Sequence, residues 1–467
     1  MITSDLLSSF KDNIAVVTEG GVQYTYGDLL KESQNICGNI APRSLVFCLA
    51  NNEIGSLSGY LSFVLNNIVP VMLDSGIDKD LLDKLIDTYQ PEYIWIPEGS
   101  KMFDTRKSLF KLAGYALLRI SDKRKYELNK DLALLLTTSG STGSPKLVKL
   151  TYQNIYSNAY SISKYLEIDK NERAITLLPM HYSFGLSIIN SHLIKGATIL
   201  LTDKSLMERG FWDFLQEYRS TSLSGVPYSF EILNKLRFFK MHLPYLKTIT
   251  QAGGRLGDDL RSEFARFCLE TNKRFFVMYG QTEATARMSY LPADYALSKI
   301  GSIGIAIPGG SFSIINENGG LIREPEVVGE LVYKGKNVSM GYAVNIGDLK
   351  ESDTNKGVLK TGDLAKFDED GFYYIVGRKN RFMKVFGNRI NLDEIECLIK
   401  SVAPECACSG IDDKIYVYIT DSNITDKVKK FISSKTGIHA NGFEVRYIDE
   451  IPKNSSGKIA YAKLETS

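Results

Sequence analysis

A run of small polar residues stands directly before a lysine in this chain. Ser139 to Ser144 are all glycine, serine or threonine, and Pro145 and Lys146 follow. Because glycine adopts positive φ without strain, such a run can turn successive backbone N–H groups toward one point, and a phosphate group suits that point. The hydroxyl groups add donors, and Lys146 adds a positive charge. These residues therefore predict a loop that binds phosphate.

The alternative for this run is a flexible hairpin loop, since tracts rich in glycine and serine are usually flexible. Apolar, β-prone residues lie close on both sides of it, "ALLLTT" before and "LVKLT" after, and a Pro-Lys pair ends it. Both features favour the phosphate loop. Its ending, Gly143-Ser144-Pro145-Lys146, also differs from the Gly-Lys-Ser/Thr ending of a Walker A loop. We therefore expect ATP to be bound differently from the way a P-loop kinase binds it.

The elements around this loop predict an α/β fold. Between about residues 14 and 280, helical patterns alternate with short apolar runs of the kind that buried parallel strands show. These runs are "SLVFCLA", "IVPVMLD", "EYIWIP", "ALLLTT", "AITLLP", "ATILLT" and "RFFVMYG". From about residue 300 the chain is β-rich, and a small α+β unit follows Arg378. We predict an N-terminal domain over 1–378, with mainly parallel sheets and a β-rich part, and a C-terminal domain over 379–467.

Composition argues against several classes of function. The chain has 467 residues and a formal net charge of +2, which gives no electrostatic reason to expect nucleic acid or an anionic membrane as a main partner. Its apolar runs are too short for a membrane span, and its first residues lack a signal-peptide pattern, so we expect a cytoplasmic protein. The cysteines and histidines lack metal-ligand spacing; we expect buried free thiols and no structural metal.

The phosphate-loop sequence resembles that of a known family. "TSGSTGSPK", Thr138 to Lys146, has the form [ST]-[ST]-G-[ST]-T-G-x-P-K that is the signature of the adenylate-forming superfamily. This superfamily contains acyl- and aryl-CoA ligases, firefly luciferase and the adenylation domains of peptide synthetases. Further motifs follow in the family's order over almost the whole chain. The resemblance implies an AMP-forming acid–thiol ligase that uses ATP and Mg²⁺, with coenzyme A as the expected thiol.

The resemblance also implies roles for individual residues. "YGQTEAT" corresponds to the family segment that stacks on adenine and contacts the α-phosphate, and its Glu283 would hold Mg²⁺, a hard cation that prefers carboxylate oxygen. The Gly-Gly pair of "QAGGRLG" would lie along the adenine, and the Asp of "TGD" would bind the ribose. The implied nucleotide contacts are Thr138, Ser139, Gly140, Ser141, Thr142, Gly143, Lys146, Gly253, Gly254, Tyr279, Gly280, Gln281, Thr282, Asp363 and Arg378.

The implied catalytic residues are Lys458, Glu283, Lys146, Thr282 and Lys384. Lys458, in "PKNSSGKIAY", matches the family lysine that bridges substrate carboxylate and phosphate oxygens, and Lys384 lies in the segment that approaches the thiol. In the family the C-terminal domain is mobile and rotates about a hinge between the two half-reactions. Asn380 occupies the hinge position, where many relatives carry Asp or Lys, which leaves the electrostatics of the hinge open.

Adenylation needs no general base, because a carboxylic acid with a pKa of about 4.3 is already an anion at neutral pH. The candidate residues of the acid pocket are His181, Phe184, Gly185 and Val226. Relatives that activate amino acids place an Asp after the Phe, and Gly185 provides no carboxylate to pair a substrate ammonium. We therefore predict an acid without an α-amine. Packing within the core is the alternative role for His181, Phe184 and Val226.

Three alternatives to an acid–CoA ligase remain at this point. An acyl-AMP ligase that loads the phosphopantetheine arm of a carrier protein would share the same adenylate site. A module that binds ATP or AMP without turnover is disfavoured because Lys458, Glu283 and the full loop are present. A phosphotransferase is disfavoured by the missing Walker pattern and by the "TGD" segment.

Overall fold

A computed structural model describes residues 2–121, 126–137, 146–386, 388–411, 413–453 and 459–464. The chain forms two compact units. The first unit covers the described residues up to Ser311 together with Tyr333–Leu359. The second covers Phe312–Val332 and the described residues from Lys360 onward. The boundary between 378 and 379 that the sequence indicates stays a prediction.

The strands, numbered along the chain, are β1 (Ile14–Thr18), β2 (Gln23–Thr25), β3 (Leu45–Ala50), β4 (Val69–Asp74), β5 (Tyr93–Pro97), β6 (Phe110–Leu112), β7 (Tyr115–Arg119), β8 (Leu132–Thr137), β9 (Leu147–Thr151), β10 (Arg173–Ile175), β11 (Thr198–Leu201), β12 (Ser222–Gly225), β13 (Thr248–Gln251), β14 (Arg274–Tyr279), β15 (Ser289–Leu291), β16 (Ile305–Ala306), β17 (Gly310–Ile315), β18 (Leu321–Ile322), β19 (Gly329–Gly335), β20 (Tyr342–Ala343), β21 (Val358–Phe367), β22 (Tyr373–Arg378), β23 (Phe382–Val385), β24 (Asn388–Asn391), β25 (Cys406–Ile411), β26 (Lys414–Ile419) and β27 (Phe443–Tyr447).

The α-helices are α1 (Ser4–Ser8), α2 (Tyr26–Cys37), α3 (Ile54–Leu65), α4 (Lys79–Tyr89), α5 (Tyr152–Tyr165), α6 (Ser183–Leu193), α7 (Arg209–Glu217), α8 (Pro227–Lys235), α9 (Asp258–Glu270), α10 (Leu392–Ile399), α11 (Thr425–Thr436) and α12 (Tyr461–Leu464).

The first unit contains two large sheets. One has the order β16-β15-β14-β13-β12-β10-β11-β1-β2, in which β1 and β10 to β14 pair in parallel where they are neighbours. The other has the order β20-β9-β8-β4-β3-β5-β7-β6, with β8, β4, β3 and β5 parallel. All six residues of β3 are buried, as expected for a parallel strand covered on both faces. The predicted α/β class is confirmed.

The strand pair and the helix start predicted near the N-terminus are both present. The segment "AVVTEGGVQYT" forms the antiparallel pair β1–β2. Helix α2 begins with a capping box, in which the Thr25 hydroxyl accepts from the Asp28 N–H at 3.1 Å and the Asp28 carboxylate accepts from the Thr25 N–H at 2.9 Å. This reciprocal pairing satisfies two backbone donors at the helix start.

The second unit is β-rich at first and α+β later. Most of the five-stranded sheet, with the order β18-β17-β19-β21-β22, belongs to it. The β21–β22 hairpin turns at Gly371, whose φ of 80° suits glycine. Helices α10 and α11 pack with the sheet β25-β26-β27 around an apolar core that includes Ile395, Val417 and Val428. The α+β pattern predicted after Arg378 is therefore present in the described residues.

Two expectations from composition can be compared directly with the structure. Cys48, Cys268, Cys406 and Cys408 are buried free thiols, but Cys37 is only half-buried and Cys397 is exposed, so the expectation of burial is wrong for these two. Cys397 lies on the solvent face of α10, away from the face that contributes to the core. Among the described helices, none combines the length and apolar character that crossing a membrane requires.

Candidate active site

The glycine-rich run connects two antiparallel strands. Strand β8 ends at Thr137, which is paired with Leu147, the first residue of β9. The predicted phosphate-loop residues Thr138, Ser139, Gly140, Ser141, Thr142 and Gly143 lie outside the described residues. Lys146 is described, and it immediately precedes β9. The tight antiparallel pair therefore places this lysine at the base of the predicted loop.

Lys146 and Glu283 are joined through one tyrosine ring. The Nζ of Lys146 lies 3.2 Å from the centroid of the Tyr342 ring, and the Tyr342 hydroxyl donates to Oε1 of Glu283 at 2.7 Å. Tyr342 is held beside Val148 because β20 pairs with β9. Partial burial raises the pKa of Tyr342, and the negative charge of Glu283 raises it further, so the phenol stays a donor. The cation, ring and carboxylate, which we call the Lys146–Tyr342–Glu283 chain, thus form one connected group.

Glu283 stands on a strained turn at the carboxyl end of β14. Thr285 and Ala286 both have positive φ, 56° and 95°, which costs of order 1–3 kcal/mol per residue. Gly280 permits the turn, because a Cβ there would lie 1.7 Å from the Ala286 carbonyl oxygen. Backbone conformations of this cost persist only where surrounding contacts hold them, and they concentrate at functional sites.

Asn337 provides those contacts. Its Nδ2 donates to the carbonyl oxygens of Ala284 (2.8 Å) and Arg287 (2.9 Å), and its own carbonyl accepts from the Thr285 hydroxyl at 2.7 Å. Its Oδ1 accepts from the Tyr333 hydroxyl at 2.8 Å. The sequence analysis missed Asn337, because it is one of several polar residues in "VYKGKNVSMGY" and nothing local distinguishes it.

Replacing Asn337 by Ala is expected to destabilise the first unit by about 1–3 kcal/mol. The reason is that the buried carbonyl oxygen of Ala284 loses this donor, whereas the Arg287 carbonyl oxygen still accepts from Asn158 Nδ2 at 2.9 Å. Urea unfolding measures the loss. Asn39→Ala is the matched control, because Asn39 is exposed and donates only within one turn of the chain. Equal stability of the two variants would contradict this role for Asn337.

The residues predicted to contact the adenine and the acid lie at the carboxyl ends of neighbouring parallel strands. Val226 follows β12, Gly253 follows β13, and Tyr279 ends β14. Ligands of open α/β sheets bind at these carboxyl ends. Gly253 has φ of 84°, and a Cβ on it would lie 2.9 Å from Val226 Cγ1 and 3.0 Å from the Tyr182 hydroxyl. The lack of a side chain at Gly253 therefore lets Val226 and Tyr182 approach its backbone closely.

The first turn of α6 carries two of the predicted pocket residues, Phe184 and Gly185. The Ser183 hydroxyl lies 3.0 Å from the Thr282 hydroxyl, which connects this helix to the predicted α-phosphate contact. The buried ring of Phe184 packs under the guanidinium of Arg287, 4.3 Å from the ring centroid. Gly185 faces backbone, because a Cβ there would lie 2.3 Å from the Pro179 carbonyl oxygen. Gly254 similarly packs on the Pro227 ring.

Burial favours the neutral form of two histidines in this region. Nε2 of His181 lies 3.6 Å from Oδ2 of Asp74, yet burial lowers the pKa of His181. Nδ1 of His192 donates to the Ile188 carbonyl oxygen at 2.8 Å. Burial lowers the pKa of His192 to about 4, the hydrogen bond to Ile188 opposes the shift, and the charge of Arg287 adds to it.

His192 is expected to make the first unit acid-sensitive. Its folded pKa of about 4 lies below the unfolded value of about 6.5, so its contribution is complete above pH 6.5 and is lost as the pH falls toward 4. The loss amounts to about 3 kcal/mol at 1.36 kcal/mol per pKa unit. The free energy of unfolding, measured with urea, should differ less between pH 7 and pH 5 in His192→Leu than in the wild type. The exposed His439→Leu should behave as the wild type does.

The predicted ribose contacts lie together in the second unit. Asp363 on β21 is the register partner of Arg378 on β22, and Nε of Arg378 lies 3.7 Å from Oδ1 of Asp363. The Asp363 N–H donates to the Thr361 hydroxyl at 3.1 Å, which orients the turn before the carboxylate. Asp363 is buried. A buried carboxylate beside an arginine can accept hydrogen bonds from a diol.

The remaining predicted residues are only partly described. Asn380 lies in the 3₁₀ turn Lys379–Arg381, and Lys384 lies in β23; nothing is described of their side chains. Lys458 lies outside the described residues. Beside the hinge position, Nη2 of Arg381 pairs with Glu396 at 2.6 Å and its Nη1 donates to the Cys408 carbonyl oxygen at 3.2 Å. This arginine ties the turn to α10 and β25.

The donor set at Glu283 fits Mg²⁺ bound together with a nucleotide. The described residues contain no group of three or more His, Cys, Asp or Glu side chains that could hold a metal by themselves. Mg²⁺ usually keeps several waters and takes one or two carboxylates together with phosphate oxygens, so a single glutamate is sufficient. One Glu283 oxygen accepts from Tyr342, and the other is not engaged by any described hydrogen bond.

Comparisons with known proteins agree with this geometry. A family model described as "AMP-binding enzyme" matches residues 7–343. The 2-succinylbenzoate–CoA ligase of Bacillus licheniformis is 28% identical over 346 residues, which are 72% of this chain and 70% of that protein. Luciferin 4-monooxygenase of Nipponoluciola cruciata is 29% identical over 348 residues, 71% of this chain and 62% of that protein.

Solved structures give the same fold. O-succinylbenzoate coenzyme A synthetase of Bacillus subtilis in complex with AMP has a TM-score of 0.80 at 21% identity, and the match covers 99% of this chain and 98% of that chain. ATP-bound MatB from Rhodopseudomonas palustris has a TM-score of 0.78 at 21% identity, with the same coverage. The family model and these matches confirm the predicted resemblance and fold class.

Proposed function

The chain belongs to the family of AMP-binding enzymes, and we propose that within it the chain joins a carboxylic acid to ATP, releases pyrophosphate and passes the acyl group to a thiol. The predicted enzyme class, an AMP-forming acid–thiol ligase, is confirmed. The observation that carries the proposed chemistry is the Lys146–Tyr342–Glu283 chain, which connects the lysine of the phosphate loop to the carboxylate of "YGQTEAT". We place the enzyme in the cytoplasm, where ATP and coenzyme A are available.

The first half-reaction forms a bond between a substrate carboxylate oxygen and the α-phosphorus of ATP, while the bond from that phosphorus to pyrophosphate breaks. The obstacle is repulsion between two anions, because the acid is ionised at neutral pH. Lys146 and the N–H groups of the loop would offset phosphate charge, and Thr282 would contact the α-phosphate. Glu283 would hold Mg²⁺, which supplies further neutralisation when bound. Lys458 would bridge the two reactants.

The resemblance assigns the contacts to the nucleoside. Tyr279 would stack on adenine, with Gly253 and Gly254 beside it and Gly280 and Gln281 following in the turn. Asp363 and Arg378 would bind the ribose hydroxyls, which suits their position as register partners on β21 and β22. In the second half-reaction, rotation about Asn380 would withdraw Lys458 and bring Lys384 toward the thiol.

The pocket supports an acid without an α-amine. Position 185 has no carboxylate, and its outer face is closed by the backbone of Leu178 and Pro179. The adjacent Phe184 ring carries the guanidinium of Arg287 at 4.3 Å. A substrate ammonium near Phe184 would therefore meet a positive charge instead of a negative one, and like charges disfavour binding. The other predicted pocket residues, His181 and Val226, are packed beside Asp74 and Gly253 respectively.

A pyrophosphate-release screen over carboxylic acids tests this function. We expect release with simple acids in the presence of ATP and Mg²⁺, and no ATP–pyrophosphate exchange with free amino acids. Adding coenzyme A should give acyl-CoA detectable by mass. Thioester only on the phosphopantetheine arm of a carrier protein would identify the carrier-loading alternative. Bound ATP without release for any acid would favour a nucleotide-binding module.

A further inference from the structure

Arg287 is a buried cation whose partners are all neutral. Its side chain is fully buried, its Nη1 donates to the Tyr165 hydroxyl at 3.2 Å and contacts Met278 Sδ, and the guanidinium lies over the Phe184 ring. Its Nε has no hydrogen-bond partner among the described residues. Within the described part of the chain, no carboxylate lies within 4 Å of it. Since buried charges are normally paired, a missing anionic partner is indicated.

A cavity begins at this guanidinium. It is lined by Arg287, by Ile188 and His192 of α6, and by the hydroxyl-bearing Ser224 and Thr250. Phe184, Ile188 and His192 recur every fourth residue on α6, so they form one stripe that faces the same way. Phe184 itself does not line the cavity, but Arg287 connects the two, because its guanidinium lies over the Phe184 ring and also lines the cavity. His192 Nε2 also has no partner among the described residues, so it is a second unpaired polar atom on the lining of this cavity.

The other charged group on this cavity is at its far end. Glu172 lines the cavity and precedes the amino end of β10, whereas Arg287 follows the carboxyl end of β14. The paired strands β10, β12, β13 and β14 are parallel, so Glu172 and Arg287 lie at opposite ends of these strands. Glu172 already accepts from the Thr221 hydroxyl. His192 is neutral at pH 7. Among the described residues that line this cavity, Arg287 is therefore the cation near the predicted acid pocket.

We infer that the acid carries a second anionic group, such as a second carboxylate, and that Arg287 binds it. The inference rests on the proposed function, because it names the class of acid that the same site activates. The reacting carboxylate would lie by Thr282 and Ser183, which are 3.0 Å apart at their hydroxyls. Phe184 is the next residue on α6, and the Arg287 guanidinium lies 4.3 Å from the centroid of its ring. A diacid with a short carbon chain would place one carboxylate by Ser183 and Thr282 and the other by Arg287.

The expected preference is measured with matched acids of equal chain length, namely succinate with butyrate, glutarate with pentanoate and adipate with hexanoate. In the wild type, kcat/KM for pyrophosphate release should favour the best dicarboxylate over its monocarboxylate by at least about tenfold, since a buried polar group left unpaired rejects the analogue. Arg287→Met should reverse this ratio, and Arg287→Lys should keep part of it. Loss of folded protein lowers both rates equally, so the ratio remains informative.

Arg261→Met is the matched control. Arg261 is also a buried arginine, its Nη2 donates to the Ser302 carbonyl oxygen at 2.6 Å, and it does not line this cavity. Its substitution should leave the ratio of dicarboxylate to monocarboxylate unchanged. A similar change of the ratio in Arg261→Met would overturn the assignment to Arg287.

A binding readout separates this inference from the proposed function. Without ATP, dicarboxylates should raise the unfolding temperature of the wild type more than monocarboxylates do, and Arg287→Met should lose this difference. Pyrophosphate release with equal or higher efficiency for monocarboxylates, unchanged in Arg287→Met, overturns the inference and leaves the proposed function intact. Dicarboxylate binding that depends on Arg287 without release of pyrophosphate overturns the proposed reaction but supports the anion site. The inference is also overturned if none of these acids binds and none supports release of pyrophosphate.

Discussion

Replacing Glu283 by Gln is expected to lower kcat/KM for pyrophosphate release by about 10²–10³-fold, a range typical of removing one electrostatic contact to a transition state. Gln keeps the size of the side chain and an oxygen that can still accept from the Tyr342 hydroxyl, which now donates at 2.7 Å. The change therefore removes the charge while it preserves this contact. Since the carboxylate is the proposed Mg²⁺ ligand, the Mg²⁺ concentration for half-maximal rate should also rise.

Two further variants isolate this effect. Glu263→Gln on the exposed face of α9 should leave the rate and the Mg²⁺ dependence unchanged. Tyr342→Phe keeps the ring beside Lys146 but removes the hydroxyl, and it should cost less than Glu283→Gln. Wild-type rates in Glu283→Gln at low Mg²⁺ would show that this carboxylate does not hold the ion.

Replacing Lys458 by Ala is expected to slow acyl-AMP formation by about 10²–10³-fold and to spare the second half-reaction. The expectation follows from the resemblance of "PKNSSGKIAY" to the family segment that carries the bridging lysine. Without this cation, the carboxylate and the phosphate meet with their repulsion uncompensated. Single-turnover measurements with acid and ATP give the first rate. Synthetic acyl-AMP with coenzyme A gives the second.

The comparison of half-reactions makes this test specific. A variant that merely unfolds the second unit would lose both rates together. Lys435→Ala on α11 is the matched control, because Lys435 is an exposed lysine of the same unit outside every motif named above. Equal loss of both half-reactions in Lys458→Ala, or full-rate adenylation, would contradict the proposed role.

Several features of the fold could be predicted because their causes are local. The capping box at Thr25 and Asp28 needs only residues three apart, and the β21–β22 hairpin needs only a glycine that accepts positive φ at Gly371. Continuous apolar runs such as "SLVFCLA" indicate parallel strands because a strand covered on both faces has no polar side. The motifs of the site could likewise be found one by one along the chain.

The sequence did not indicate how distant side chains combine. Tyr342 joins Lys146 to Glu283 only because β20 pairs with β9, and Asn337 supports the turn only because the fold returns the chain to Ala284 and Arg287. The chemistry of such contacts depends on distance and burial, which no local pattern encodes. Arg287 shows this most clearly, since an arginine in "ATARMSYL" is ordinary in sequence.

The sequence by itself determined the class of fold and the family and predicts which motifs are reactive, because backbone preferences and short motifs act over a few residues. Only the tertiary structure decided which residues support Glu283 and which charge lies beside the acid pocket. The physical reason is that desolvation depends on every neighbour in space. A cation becomes informative about a ligand once the surrounding protein has removed its water and provided no anion.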